Sequence, residues 1–156
     1  MDHAPLIIKI PFEPVPTARA RVTRWGTYDE QEPLKITLKM LLHIQMNKYP
    51  GWILLDGPLV AELIFNIKRP KKHYRAGKFS HLLNNKAMKA YPSKGDFDNY
   101  AKFVCDAMSG IVYVDDKQIV DGRSGKQYAD AGKEGSVEIQ ILPWDGKRMK
   151  LSGSIL

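Results

Sequence analysis

The sequence predicts an α/β (α+β) fold, a compact mixed β-sheet with helices packed beside it, and three observations carry that expectation. Residues 6–12 and 58–68 set apolar residues at every second position, as strands with one buried side do, whereas 31–49 and 98–108 repeat apolar residues at helical spacing. No internal repeat or interdomain linker separates these stretches. Of the 156 residues 44% are hydrophobic, enough for one respectable core and hardly for two. A single domain over residues 1–156 is expected, its core at about 6–142, with a loose C-terminal tail.

Along the chain, Leu6, Ile8 and Ile10 share one side of the first strand, which Pro11 and Pro14 end. Residues 14–28 are studded with Pro14, Pro16, Arg19, Arg21, Arg24 and Gly26, suit neither helix nor core, and read as an ordered loop or ribbon that places arginines on a ligand. In the helix at 31–49, Leu34, Leu38, Leu41, Leu42 and Gln45 form a stripe read as core packing, and Pro50 and Gly51 stop it. The strand at 58–68 sets Leu59, Ala61, Leu63, Phe65 and Ile67 on one side. Residues 69–95 are basic and rich in turn formers, and so long an excursion inside a compact domain serves a function or is mobile.

The helix at 98–108 buries Phe103, Val104, Ala107 and Met108, and Gly110 suits its end. A short strand at 112–114 then leads into Asp115 and Asp116. Residues 118–126 and 136–142 read as two antiparallel strands joined by the Gly-rich turn region 128–135. In the tail, Trp144, Met149 and Leu156 are the candidate anchors.

Twenty-four Lys and Arg against 17 Asp and Glu give a formal charge of +7, and the distribution says more than the total. Between Glu62 and Asp96 there is no acidic residue, while Lys68, Arg69, Lys71, Lys72, Arg75, Lys78, Lys86, Lys89 and Lys94 all fall in that gap. Such a concentrated field attracts a polyanion, against the bland alternative of an ordinary solvated Lys-rich surface. Nucleic acid ranks above anionic lipid, because the stretch lacks a matching amphipathic face of Trp, Phe and Leu. The expected DNA contacts are Arg19, Arg21, Arg24, Lys68, Arg69, Lys71, Lys72, Arg75 and Lys78.

No apolar run approaches the roughly 20 residues of a membrane-spanning helix, so no membrane association is expected. The N-terminus, with Asp2 and His3, has no basic stretch leading into an apolar segment, and a secretory signal is not expected. The single Cys105 excludes an internal disulfide and fits a cytoplasmic location.

The chemistry-bearing residues are concentrated in two short stretches. Asp96 lies just before the second helix and Asp98 at its start; Lys102, four residues on, projects from the same face as Asp98. A strand returning after Gly110 would bring Asp115 and Asp116 back near that helix start. Three converging carboxylates make a hard oxygen site suited to magnesium or manganese, completed by phosphate oxygens and water. Lys102 then contacts a phosphate oxygen, orders the attacking water, or keeps the carboxylates from repelling each other. Taken singly, the bland readings prevail: a helix cap, a surface pair at i,i+4, or a turn. Asp106 is the less direct ligand, and Asn99 either orients an aspartate or makes a helix-start hydrogen bond. His73 and His81 read as DNA contacts or ordinary surface residues, and Cys105 as a small packed hydrophobe.

DFDNYAK at 96–102, CDAMSG at 105–110 and YVDDKQI at 113–119 together resemble the RusA-like endodeoxyribonucleases of bacteria and their phages and prophages. VPTARARVTR at 15–24 is similar to that family's basic N-terminal segment, with Arg19-Ala-Arg21 where Arg-Pro-Arg is common. The resemblance implies a magnesium-dependent Holliday junction resolvase acting in DNA recombination and repair, with manganese able to substitute. By matched position it gives Asp96, Asp98 and Asp116 to the metal and Lys102 to phosphate or transition-state contact, with Asp115 as the alternative or supporting acid. It further implies a homodimer that binds four-way DNA junctions and makes paired nicks with 5′ phosphate and 3′ hydroxyl ends. The alternatives are a nuclease of the same chemistry selective for flaps or forks, and a noncatalytic branched-DNA-binding module.

Overall fold

The computed structural model describes residues 4–147. Strand β1 (Leu6–Ile10) leads to a hairpin of β2 (Arg21–Thr23) and β3 (Gly26–Tyr28), then to α1 (Glu32–Met46) and β4 (Leu59–Ile67). A turn-rich segment with the one-turn helix α2 (Asn85–Met88) follows, then α3 (Phe97–Met108), β5 (Ile119–Tyr128) and β6 (Ser136–Pro143). The main sheet has the order β1-β6-β4-β5, and β2 and β3 form a separate two-stranded sheet. β6 is antiparallel to both β1 and β4, whereas β4 and β5 are parallel. The expected α+β class, a mixed sheet with helices, is what the chain adopts.

The sheet's alternation explains where the helices go. Leu6, Ile8 and Ile10 of β1, Leu59, Ala61, Leu63 and Phe65 of β4, and Val137, Ile139 and Ile141 of β6 all point to one face. Leu38, Leu42 and Met46 of α1 and Phe103, Val104, Ala107 and Met108 of α3 meet them in a single core. Phe12 follows β1 into that core and stacks on Phe103, their centroids 6.1 Å apart. On the other face, Asn66 donates to Glu138 Oε1 at 2.8 Å and accepts from Gln127 Nε2 at 2.9 Å, tying β4 to both of its neighbours.

Four expectations need correction. The strands at 118–126 and 136–142 run in opposite directions but are not neighbours, because β4 lies between them. The edge position suits β5, whose Gly122, Arg123, Gly125 and Gln127 are exposed, while β6 is apolar enough for the interior. Residues 112–114 form a tight turn with an isolated bridge from Tyr113 to Leu55 instead of a strand. The first long helix ends at Met46, before Pro50, and Leu34 in its first turn stays exposed while Leu38, Leu42 and Met46 are buried. Of the tail anchors, Trp144 donates its backbone N–H to the Pro58 carbonyl at 3.0 Å, and Met149 and Leu156 lie outside the described residues.

Parallel neighbours cannot be joined by a tight turn, so the chain from β4 to β5 must cross over. That crossover contains the basic excursion and α3. It therefore sets the start of α3, with Asp96 and Asp98, beside β5.

Candidate functional site

Asp96 is the N-cap of α3, its backbone extended at φ −82°, ψ 144°, and its carboxylate takes no capping hydrogen bond. The turn into the helix is made by Gly95 at φ +71°. A Cβ there would lie 2.9 Å from Pro16 Cγ and 3.0 Å from Tyr100 Cε2, so only glycine fits. Buried Tyr100 donates its hydroxyl to the Lys94 carbonyl at 3.1 Å. Lys126 of β5 reaches across to donate to the Gly95 carbonyl, its ammonium lying over the Tyr100 ring. From the N-terminal segment, the Thr17 amide donates to the Asn99 carbonyl at 3.0 Å. Asp96 and Asp98 are thus presented on a peptide held by β5, by α3 itself and by residues 16–17.

Asp98 and Lys102 are exposed on successive turns of α3. Beyond the helix the chain doubles back: Gly110 donates to the Tyr113 carbonyl at 2.8 Å, and the Tyr113 hydroxyl donates to the Cys105 carbonyl at 2.8 Å. Asp115 then caps the short turn Asp116–Gln118, accepting from the Lys117 amide at 2.9 Å in a reciprocal box with Gln118. That amide bond holds the Asp115 carboxyl below its ordinary range. Gln118 locks the turn by donating to the carbonyls of Leu55 and Gly57 at 3.1 and 2.9 Å.

Asp116 is exposed, on a turn that packs against α3. Burial first, and then the charges of Asp116 and Asp106, push the Cys105 thiol up to about 11, so Cys105 stays protonated. The return after Gly110 brings the Asp116–Gln118 turn back alongside α3. Among the described residues, no three Asp, Glu, His or Cys side chains converge as a metal-holding group. The donor chemistry nonetheless fits a hard cation. Asp96, Asp98 and Asp116 are exposed carboxylates that form no ion pair among the described residues, whereas the Asp115 carboxylate is occupied by its cap.

The family model for endodeoxyribonuclease RusA matches residues 11–142, from the end of β1 to the last turn of β6. This chain belongs to the RusA endodeoxyribonuclease family. It is also similar to an uncharacterized protein, YqaN, of Bacillus subtilis (strain 168), with 28% identity over 131 residues that cover 83% of this chain and 89% of the relative. No helix among the described residues of this RusA-family enzyme is long and apolar enough to cross a membrane.

The basic residues of the endonuclease divide into struts and free cations. Arg69 donates to the carbonyls of Ala129 and Ala87 at 2.9 and 3.0 Å and lies over the Tyr128 ring, so its guanidinium binds the excursion to the end of β5. Lys68 pairs with Glu134 at 2.7 Å, Arg21 with Glu30 at 3.1 Å, and Arg75 donates to the Leu83 carbonyl at 3.2 Å. Arg24 lies over Trp25 and Lys78 over Phe79. Arg19, Lys71 and Lys72 are exposed and unpaired among the described residues.

The excursion is an ordered piece. Tyr74 bridges to Leu83, Asn84 donates to the Lys72 carbonyl at 2.8 Å, and the Asn84 carboxamide caps α2. His73, expected at the surface, is instead buried edge-on against Tyr128, with burial and then Arg69 and Lys72 lowering its pKa. Sequence reasoning missed Lys126, Pro16 and Tyr100 as the residues that hold the site. Lys126 carried one signal, a charged residue inside a strand, but its target depends on which strand lies next to α3.

Proposed function

We propose that this endonuclease resolves four-way DNA junctions in the cytoplasm by magnesium-dependent hydrolysis, two copies of the chain making paired symmetric nicks that leave 5′ phosphate and 3′ hydroxyl ends. The supporting observation is the set of exposed carboxylates, Asp96, Asp98 and Asp116, that form no ion pair among the described residues, on and beside a helix whose start is braced by β5 and residues 16–17. Such carboxylates, on a chain that also exposes Lys71, Lys72 and Lys102, suit bringing a divalent cation and a phosphate together.

Asp96, Asp98 and Asp116 are the ligands in this reading. Asp115 supports them by shaping the turn that carries Asp116, since its own carboxylate already accepts the Lys117 amide. Lys102, exposed one turn beyond Asp98, contacts a nonbridging phosphate oxygen and steadies charge that develops there. Magnesium, or manganese in its place, supplies Lewis-acid polarisation of the phosphoryl group and offsets charge on the departing 3′ oxygen. Water is the nucleophile of this hydrolysis.

The test compares a labelled synthetic four-way junction with matched duplex, flap and fork, using wild type and Asp98→Asn, with magnesium and with chelator. Symmetric junction nicks in wild type plus magnesium alone are expected. Cutting of flaps or forks in preference to junctions would move the assignment to another branched-DNA nuclease, and tight binding without scission would reject catalysis.

A further inference from the structure

The β2–β3 hairpin is built unlike the rest of the molecule. All six of its strand residues are exposed, and it pairs only with itself, Arg21 with Tyr28, Val22 with Thr27 and Thr23 with Gly26. An isolated pair of strands is marginal in water. This one is held at its base, where the Ala18 amide donates to Gln31 Oε1 at 2.7 Å and Gln31 Nε2 donates to the Pro16 carbonyl at 2.8 Å. At its tip the indole of Trp25 is 83% exposed, with the Arg24 guanidinium 4.7 Å over the ring. An indole left this bare adds nothing to the core, and a cation stacked on it makes it a platform with a flat apolar surface and a charge alongside.

The hairpin's location gives that platform a target. Its base begins just after Thr17, whose amide is bonded to Asn99, the residue next to Asp98. Trp25 is seven residues beyond Ala18, so at about 3.3 Å per residue the tip lies at most about 23 Å from that base. DNA whose phosphate lies at Asp98 therefore passes within reach of the hairpin.

We propose that Trp25 stacks on an unstacked base at the DNA branch point while Arg24 pairs with a neighbouring phosphate, making the hairpin the element that distinguishes branched from continuous DNA. This deepens, and rests on, the reading of the chain as a branched-DNA nuclease. In a continuous duplex every base face is already covered, so the indole has nothing to meet. At a branch the terminal pairs of the arms expose theirs, and a stacked base contributes a roughly ten- to hundredfold gain in affinity without sequence preference.

The test measures binding in chelator, to a junction carrying 2-aminopurine at the branch point and to matched duplex, for wild type, Trp25→Ala and Trp25→Phe. Thermal melts of the three should coincide, because the side chain is exposed. Trp25→Ala should weaken junction binding at least tenfold and duplex binding less than about twofold. It should also remove the change in 2-aminopurine emission, and Trp25→Phe should restore most of both. Equal losses on junction and duplex, or unchanged junction affinity, would overturn the stacking role. So would a fall in oligomer mass on Trp25→Ala, which would make the hairpin a protein contact. A wild type that binds junction and duplex alike sinks the branched-DNA reading itself, a result distinct from a wild type that discriminates and a Trp25→Ala variant that does so equally well.

Discussion

Gly95 and Lys126 show how little separates a presented carboxylate from a misplaced one. At φ +71° any side chain strains the backbone by roughly 1–2 kcal/mol, and a new Cβ would press on the rigid ring of Pro16. Gly95→Ala should therefore lower the melting temperature, and should slow single-turnover cleavage by more than the lost stability explains, because Asp96 is the next residue. Lys126→Met keeps the stem near Tyr100 and removes the ammonium that bonds the Gly95 carbonyl and lies over the Tyr100 ring. Its expected effect is a lower cleavage rate at saturating DNA with junction affinity nearly unchanged, and an unaltered rate would show that β5 does not position Asp96. Asp98→Asn removes a charge with little change of shape, so folding and binding should persist while cleavage falls on the order of a hundredfold or more. Asp96, Asp98 and Lys102 stand out in the sequence because they fall within seven residues at one helix start. Lys126 does not, since its role depends on the partner that a distant strand finds in three dimensions.

The same division holds for elements. Alternation named the buried faces of β1 and β4 correctly because side chains switch faces at every residue, whatever strand lies alongside. It carried no information on neighbours, and so 118–126 and 136–142 were paired with each other instead of with β4. In the excursion, charge drew attention to its cations, while the packing that orders it, Arg69 and His73 against Tyr128, uses residues whose types suggested a surface. That packing has a pH dependence with a definite sign. His73 is held below its ordinary pKa by burial, with Arg69 and Lys72 adding to the effect, so the unfolded segment binds the proton more readily than the folded one. Stability from a neutral His73 is present above about pH 6.5, the ordinary value for histidine, and is lost as pH falls below it. Amide exchange in residues 69–90, corrected for its intrinsic pH dependence, should accelerate between pH 7.5 and 5.5. In His73→Phe the corrected rates should be flat, and a persisting acceleration would assign the effect elsewhere.

For the whole molecule, the concentration of positive charge in one segment predicts how binding responds to salt. Lys71 and Lys72 are free cations among the described residues, and if each meets a phosphate, Lys72→Ala should reduce the slope of log affinity against log salt by about 1. Arg69→Ala should act differently, lowering stability first, because its guanidinium holds carbonyls of two segments. The proposed paired nicks carry an expectation about oligomeric state. Each chain carries one set of Asp96, Asp98, Lys102 and Asp116, and each hairpin carries one Trp25. Resolving a four-way junction needs two opposed nicks before the DNA departs, and a nearly two-fold substrate is matched by a two-fold protein. The expected solution mass is thus twice that of the chain, both free and on a junction. Mixing wild type with excess Asp98→Asn should produce complexes with one competent site, which nick a junction once and release it unresolved. If instead a species of monomer mass makes both nicks in one binding event, the active unit is a single chain that turns over the junction, and the paired-site mechanism fails.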